Sequence, residues 1–416
     1  MQNCGMNRKS YIWNTTASTL NSAMSAILML AVVRILGVEE GGIFALGYSV
    51  AQLMLTIGYY DMRAYQATDV GNTYLFGEYF CSRMVTCFAM LISSVIYIFI
   101  RGYSGDKFAI VMLLCLFKMT DAVEDVYHGQ LQKLQHLDIA AFFQTMRLAI
   151  CMMVFVIVLI CGKNLLVTSA VSVCTSFILS TIPNIIIIKR YVDTKEKIQF
   201  RKVLNLLIVC LPLCIGSYLS LYIGNAPKYA IDRFMANTEQ SYYNILFMPS
   251  YVINLFSGFI LRPTVTTLAN VWEEKKYSQF IRHIAKLFLV IICLTFCAMG
   301  IAHMIGLDIL ELIYAVDLDR YGGELIMLLL GGGFYALGIV MYYAITIARK
   351  QKYMLIVYGF VSVAAFFMSN RLVPDYGLWG AAISYFTATL LRFIGFLIIF
   401  VFLYNRERGR EKRVFE

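Results

Sequence analysis

The sequence predicts an all-α protein that crosses a membrane many times, and three observations carry that reading. Sixty per cent of the 416 residues are apolar and 14% are charged, with a mean hydropathy of +0.71, far from the usage of a water-soluble domain. Apolar runs long enough to cross roughly 30 Å of hydrocarbon, at about 20 residues each, recur along the whole chain. Nothing between those runs is long enough to fold as a soluble domain.

Twelve transmembrane helices are expected, over 12–36, 43–61, 79–100, 108–130, 139–161, 165–188, 203–235, 241–261, 281–304, 324–348, 353–370 and 377–404. The first follows a short basic flank, yet it is too long for a signal-peptide core and is expected to be retained. The longest polar connection, KRYVDTKEKIQFRK, separates six spans from six. The expected organisation is therefore an N-terminal lobe (1–188), a cytoplasmic linker (189–202), a C-terminal lobe (203–404) and a basic cytoplasmic tail (405–416). The lobes share a faint echo: in RILGVEEGGIFALGY and RFMANTEQSYYNILF, Arg34 aligns with Arg233, Glu40 with Glu239 and Phe44 with Tyr243.

Most of the 35 Lys and Arg fall in segments that share one side when both termini are cytoplasmic, which sets that orientation. The formal charge of +10 is then an insertion signal and a partner for anionic membrane lipids, with no nucleic acid implied. The eleven cysteines lie almost all within spans without a paired spacing, so neither a disulfide framework nor a metal site is expected. No phosphate-cradling G-x-x-x-x-G-K-[ST] motif is present, so any active transport draws on an ion or substrate gradient. The glycines of GGG at 331–333 lie inside a span, where they allow helices to approach closely. The longest outer loop, roughly 305–323, holds Asp308, Glu311, Asp317 and Asp319.

The fourth span contradicts its apolar surroundings. Its segment FKMTDAVEDVYHGQLQK places Lys118, Asp121, Glu124 and Asp125 at membrane depth, where each charge costs about 2.5–3.5 kcal/mol on insertion scales. At about 100° per residue, Lys118, Asp121, Glu124, Asp125 and His128 share an arc of roughly 120°, and Ala122, Val126, Met119, Val123 and Leu116 fill the other side. Lys118 can reach Asp121 and Glu124 can reach His128, which leaves at least one acid, Asp125 or Glu124, without a local partner. A structural ion-pair ladder would explain the face. A cavity wall with a substrate-binding cation and a protonatable acid would also explain it, and we expect the second.

In the seventh span, YIGNAPKYAIDRF sets Asn225, Lys228 and Asp232 on one helical face beside Pro227. The segment is either a kinked helix at a binding site or, from Lys228 to Arg233, the outer loop. Arg147, with Gln144 one turn before it, lies about 13 Å into the fifth span at ~1.5 Å per residue, too deep to reach water easily. Arg34 either binds an anionic group or snorkels to the interface, and Arg392 is expected to snorkel.

These stretches carry a resemblance. RILGVEEGGIFALGYSV, NAPKYAIDRF and YHGQLQKLQHLDIAAFFQTMRLAI (127–150, with Gly129, Gln132, Asp138 and Arg147) resemble the polysaccharide-exporter branch of the multidrug/oligosaccharidyl-lipid/polysaccharide (MOP) superfamily, the bacterial O-antigen and capsule flippases. Lys228 stands where relatives often carry Arg, and MANTEQSYY lacks glycines usual after the seventh helix.

The resemblance implies a MATE-like fold, two six-helix lobes around a central cavity, and a non-enzymatic flippase without cofactor or metal. Its cargo would be undecaprenyl-pyrophosphate-linked oligosaccharide, moved across the bacterial inner membrane by alternating access for lipopolysaccharide or capsule assembly. It further implies antiport with a proton or sodium gradient, action as a monomer, and glycan polymerase or assembly proteins as partners. On that reading Lys118, Arg147, Lys228, Arg34 and Asn225 bind substrate, while Asp121, Glu124, Asp125 and Asp232 are the ion-coupling candidates. Two rivals stand beside it. A multidrug exporter would have a net acidic, apolar cavity, and a membrane polysaccharide polymerase would need a long outer loop with paired catalytic residues.

Overall fold

The computed structural model describes residues 8–69, 73–192 and 198–415. Residues 193–197 of the expected linker and Glu416 of the expected tail lie outside the described residues. The described chain is helical throughout: α1 (Arg8–Leu36), α2 (Val38–Tyr59), α3 (Met62–Thr68), α4 (Phe76–Arg101), α5 (Gly105–Lys133), α6 (Leu137–Gly162), α7 (Leu165–Ile188), α8 (Phe200–Phe234), α9 (Asn237–Glu273), α10 (Tyr277–Ile301), α11 (Leu307–Tyr314), α12 (Gly322–Ile347) and α13 (Lys352–Phe415). Among the described residues, ten helical stretches are long and apolar enough to cross a membrane. Charged α5 is not one of them, and α13 counts once although it contains the eleventh and twelfth expected spans. The chain is a multi-pass membrane protein.

Two boundaries differ from expectation for local reasons, and a third point, left open between helix and loop, falls to helix. The eleventh and twelfth spans are two helices that meet at a kink with no loop between them, at Gly377 (φ 59°, ψ −136°), three residues past Pro374, and α13 covers both. That backbone region is open to glycine alone. The expected 305–323 loop is partly ordered: a π-helical turn, Ala302–Gly306, leads into α11, and a 3₁₀ turn, Asp319–Tyr321, precedes α12. Finally, α8 runs unbroken through Pro227 to Phe234, so Lys228 to Arg233 is helix and not loop.

The helices gather into two compact units, Met1–Tyr218 and Leu219–Glu416. In the first, α1 packs on α6 and α2, while α5 sits among α2, α3, α4, α6 and α7. In the second, α12 packs on α9, α10 and α13. The division falls inside α8, past the 189–202 connection, because the first half of that helix is anchored to the first unit. Leu206 and Cys210 join a buried cluster with Met62, Tyr74, Tyr79, Val126, Tyr127 and Ile188, and Ser217 donates to Asp61.

Several helices turn small or polar residues inward and apolar residues outward. On α4, Ser82, Arg83, Thr86, Met90 and Ser94 are buried, whereas Phe88, Ile92, Ile96 and Phe99 are exposed. On α7, Thr168, Ser172, Ser176, Ser180 and Asn184 are buried, with Phe177, Ile178, Ile182 and Ile186 outside. This is the pattern lipid imposes, because tails outside are as apolar as any core and small residues let helices close up. The 331–333 glycines act in this way: an added Cβ would stand 2.6 Å from Tyr385 at Gly331, 3.1 Å from Ser250 at Gly332 and 2.6 Å from Thr295 at Gly333.

The internal echo has a structural counterpart. Arg34 and Arg233 each sit in the last turn of a helix, Glu40 and Glu239 each in the first turn of the next, and Phe44 and Tyr243 are both buried.

Candidate functional site

The arc expected on α5 is buried along its whole length. Lys118, Asp121, Glu124, Asp125 and His128 are each at most 8% exposed, at the centre of the first unit's helices. Charges so placed persist only when each finds partners, and neighbouring helices supply them. From α6, Arg147 donates to Asp121 Oδ1 at 2.6 Å and approaches Glu124 Oε2 at 2.8 Å. The same guanidinium reaches Ser176 Oγ on α7 at 2.9 Å and Thr120 Oγ1 on α5 at 3.3 Å. Lys118 pairs with Asp121 at 2.9 Å, and its ammonium lies 4.8 Å from the Tyr48 ring centroid on α2.

One turn further along, Asp125 is held from two sides. Arg83 of α4 bonds Oδ2 at 2.8 Å and Arg63 of α3 bonds Oδ1 at 3.2 Å. Arg83 also donates to the Gly58 carbonyl at 2.5 Å, where Thr86 adds a bond of 2.9 Å. That carbonyl belongs to the end of α2, so Arg83 ties three helices together. Arg63 Nε meets Gln132 at 3.1 Å, and Gln66 donates to the Val126 carbonyl at 3.1 Å. Gly129 makes room for this last contact, because any Cβ there would collide with the Gln66 side chain.

The sequence-derived residues thus divide. Lys118, Arg147, Asp121, Glu124 and Asp125 meet in one network, and Asp125 and Glu124, at least one of which was expected to lack a local partner, are both paired through other helices. Arg34 is exposed near the end of α1. Asn225, Lys228 and Asp232 lie in the second unit on α8, where Asn225 donates to the Leu221 carbonyl at 3.1 Å and Asp232 is half-buried. Lys228 is 3% exposed, with its ammonium 4.7 Å from the Phe247 ring centroid and 5.9 Å from that of Tyr251. No carboxylate of the described residues is within salt-bridge distance of it.

Arg392 corrects an expectation. It does not snorkel: it is 3% exposed, donates to the Tyr335 carbonyl at 2.9 Å and lies over the Tyr335 ring at 4.0 Å. Its guanidinium rests against Gly338, where a Cβ would stand 3.1 Å away, so the close approach of α12 holds it inside. Phe247 and Tyr251 stand beside Lys228 and Tyr335 beside Arg392, and Tyr385 meets Phe247 edge to face at 4.8 Å.

Residues that counting along one helix passed over are Arg83, Arg63 and Gln66. Arg83 stands out as a charge within a span, but its partner Asp125 lies 42 residues away. Arg63 and Gln66 ride on α3, too short to register as a span.

A set that could in principle hold a metal ion lies outside this network. Glu311, Asp317 and Asp319 bring carboxylate oxygens within 4.8 Å of one another. Glu311 already accepts the Leu318 N–H at 2.6 Å, which closes the turn before α12.

Comparison with known proteins shows the family and the fold. The sequence profile of the family described as Polysaccharide biosynthesis protein matches residues 8–266. No curated protein matches the chain significantly. Among solved structures, the lipid II flippase MurJ in its inward closed conformation is similar with a TM-score of 0.69 and 14% identity, over 93% of this chain and 87% of that one. An inward-facing multidrug resistance MATE family transporter of the MOP superfamily gives 0.66 and 11%, over 96% and 99%. A MOP superfamily transporter from Pyrococcus furiosus, described by the reverse polarity of its binding pocket, gives 0.56 and 13%, over 96% and 94%. These likenesses identify the MOP fold, MATE-like and MurJ-like.

Proposed function

Because this chain belongs to the polysaccharide biosynthesis protein family and has the MOP fold, we propose that it is a transporter that flips lipid-linked oligosaccharide across the bacterial inner membrane. The cargo class is an undecaprenyl-pyrophosphate-linked repeat unit destined for O-antigen, capsule or another surface polymer. The observation that carries this reading is the charge of the second unit's interior. Lys228 and Arg392 are buried, and no Asp or Glu among that unit's described residues is buried. A buried ammonium without a counter-ion is costly, and an anionic pyrophosphate offsets that cost when it binds. The rings of Phe247, Tyr251, Tyr335 and Tyr385 suit the apolar faces of sugars. A drug exporter for cationic compounds fits this interior poorly, since it calls for buried acids.

Lys228 is therefore the primary anion contact, with Asn225 one turn away as a further donor. Lys118 and Arg147 are committed to carboxylates and set the shape and charge of the α5 face. The reading involves no covalent chemistry, and it keeps both termini cytoplasmic.

The test is surface glycan in cells that depend on this chain for its display. Lys228→Gln is expected to abolish display while membrane abundance stays normal, and Lys228→Arg is expected to restore part of it. Full display with Lys228→Gln would refute the assignment.

A further inference from the structure

In the α5 network most buried polar atoms are paired; Arg83 Nε, Gln66 Oε1, Glu124 Oε1 and His128 Nε2 are exceptions, and the last two face each other. Glu124 Oε2 accepts from Arg147 at 2.8 and 3.0 Å, whereas Glu124 Oε1 is buried without a hydrogen bond among the described residues. One helical turn on, His128 Nε2 is also buried without a hydrogen bond, 3.7 Å from that oxygen. An orphaned buried polar atom costs about 1–3 kcal/mol. Two of them aimed at one another, less than an ångström beyond hydrogen-bond reach, mark the point where the network can accept something more.

The three acids of α5 differ in how firmly they are held. Asp121 has two cations, Lys118 and Arg147, and Asp125 has two, Arg83 and Arg63. Glu124 has only Arg147, and shares it with Asp121. The charged groups that act on the pair are Arg147 from α6, Arg63 from α3, and Asp121 and Asp125 on α5 itself, while Arg83 from α4 is held by Asp125 and lies 6.0 Å from the Tyr59 ring of α2. With several cations near and one carboxylate oxygen open, a metal cation would lack the six or so oxygens it needs. A proton needs one acceptor and one neighbour.

We propose that Glu124 and His128 together form the site of the coupling proton, a refinement that rests on the transport reading above. A proton from water adds to Glu124 Oε1, and the new O–H donates to the neutral imidazole Nε2 of His128. The neutral carboxyl loosens its hold on Arg147, which keeps Asp121, Thr120 and Ser176 as partners. Release of the proton to water on the other side restores the Arg147–Glu124 pair. No other bond forms or breaks. Glu124 carries the proton and His128 positions it.

Infrared difference spectra of the purified chain in lipid, recorded between acid and alkaline pH, test the site without any substrate. The wild type is expected to show a titrating band of a protonated carboxyl that vanishes in Glu124→Gln and persists in Asp121→Asn and Asp125→Asn. His128→Gln keeps the band but moves its midpoint, and this variant decides the matter if Glu124→Gln does not fold. A band that survives Glu124→Gln, a midpoint unmoved by His128→Gln, or no titrating carboxyl in the wild type would each overturn the proposal. A second arm uses undecaprenyl-pyrophosphate-linked oligosaccharide in proteoliposomes. One pH unit is worth about 1.4 kcal/mol per proton, so the wild type should reach up to about tenfold accumulation per unit of gradient, and Glu124→Gln none. If the band follows Glu124 while no protein moves the probe, the cargo reading fails and the proton site stands. If the probe moves but the band does not follow Glu124, the reverse holds.

Discussion

The two units solve the problem of burying charge in opposite ways. In the first, the cations Lys118, Arg147 and Arg83 are matched by Asp121, Glu124 and Asp125 at 2.6–2.9 Å, drawn from α4, α5 and α6. In the second, Lys228 and Arg392 are buried against rings and a backbone carbonyl, with no buried acid among the described residues. The first arrangement is internally neutralised and holds helices in register. The second is left with net positive charge, which is a poor way to stabilise a fold and a direct way to hold an anion.

That contrast predicts opposite signs for similar substitutions, and the largest effect belongs to the first unit. Arg147→Leu strands Glu124, leaves Asp121 with Lys118 alone, and is expected to cost about 3–5 kcal/mol, read as a fall in the thermal unfolding midpoint of the solubilised protein. Arg83→Leu should behave alike, and Arg83→Leu with Asp125→Leu should recover most of the loss, since Arg63 is partly exposed and can turn to water. Lys228→Met should instead leave stability unchanged or raise it by up to roughly 2–3 kcal/mol, because it strands no acid and removes a charge that is costly at depth. A large loss of stability with Lys228→Met would erase the distinction between the units.

Gly129→Ala sharpens the comparison at lower amplitude. The methyl group must displace Gln66 from α5, for an expected loss of about 1–3 kcal/mol by the same melting assay. Asp69, between α3 and α4, offers the smallest effect. Burial pushes its carboxyl up, but the N–H groups of Thr73 and Tyr74, at 2.9 and 3.1 Å, and the Lys133 ammonium outweigh burial and hold it below the ordinary range. A depressed folded-state value gives stability that is complete above the unfolded value of about 4 and is lost as pH falls through the folded one. The wild-type midpoint should therefore drop faster than that of Asp69→Asn on acidification below about pH 4.

Much of the fold was legible in the sequence because lipid enforces a length rule. Each of the twelve apolar runs corresponds to helix, and the one-sided face of α5 follows from spacing alone. The exceptions have physical causes. Helix α3 is seven residues long and escapes any membrane-length criterion, yet it supplies Arg63 and Gln66. Arg83 and Asp125 sit on different helices, and periodicity along one helix says nothing about its partner. Arg392 looked able to reach the interface, but the packing of α12 at Gly338 closes that route. The serine and threonine stripe of α7, passed over in the sequence, marks the face that delivers Ser176 to Arg147.

The central claim is that this chain moves a lipid-linked anion with the cationic interior of its second unit. The most direct measurement is the rate at which undecaprenyl-pyrophosphate-linked oligosaccharide, loaded in one leaflet of proteoliposomes, becomes accessible to a glycosidase on the other side. The account predicts acceleration over protein-free vesicles that is lost in Lys228→Gln and partly restored in Lys228→Arg. A rate equal to that of protein-free vesicles, or one indifferent to Lys228→Gln, would contradict it.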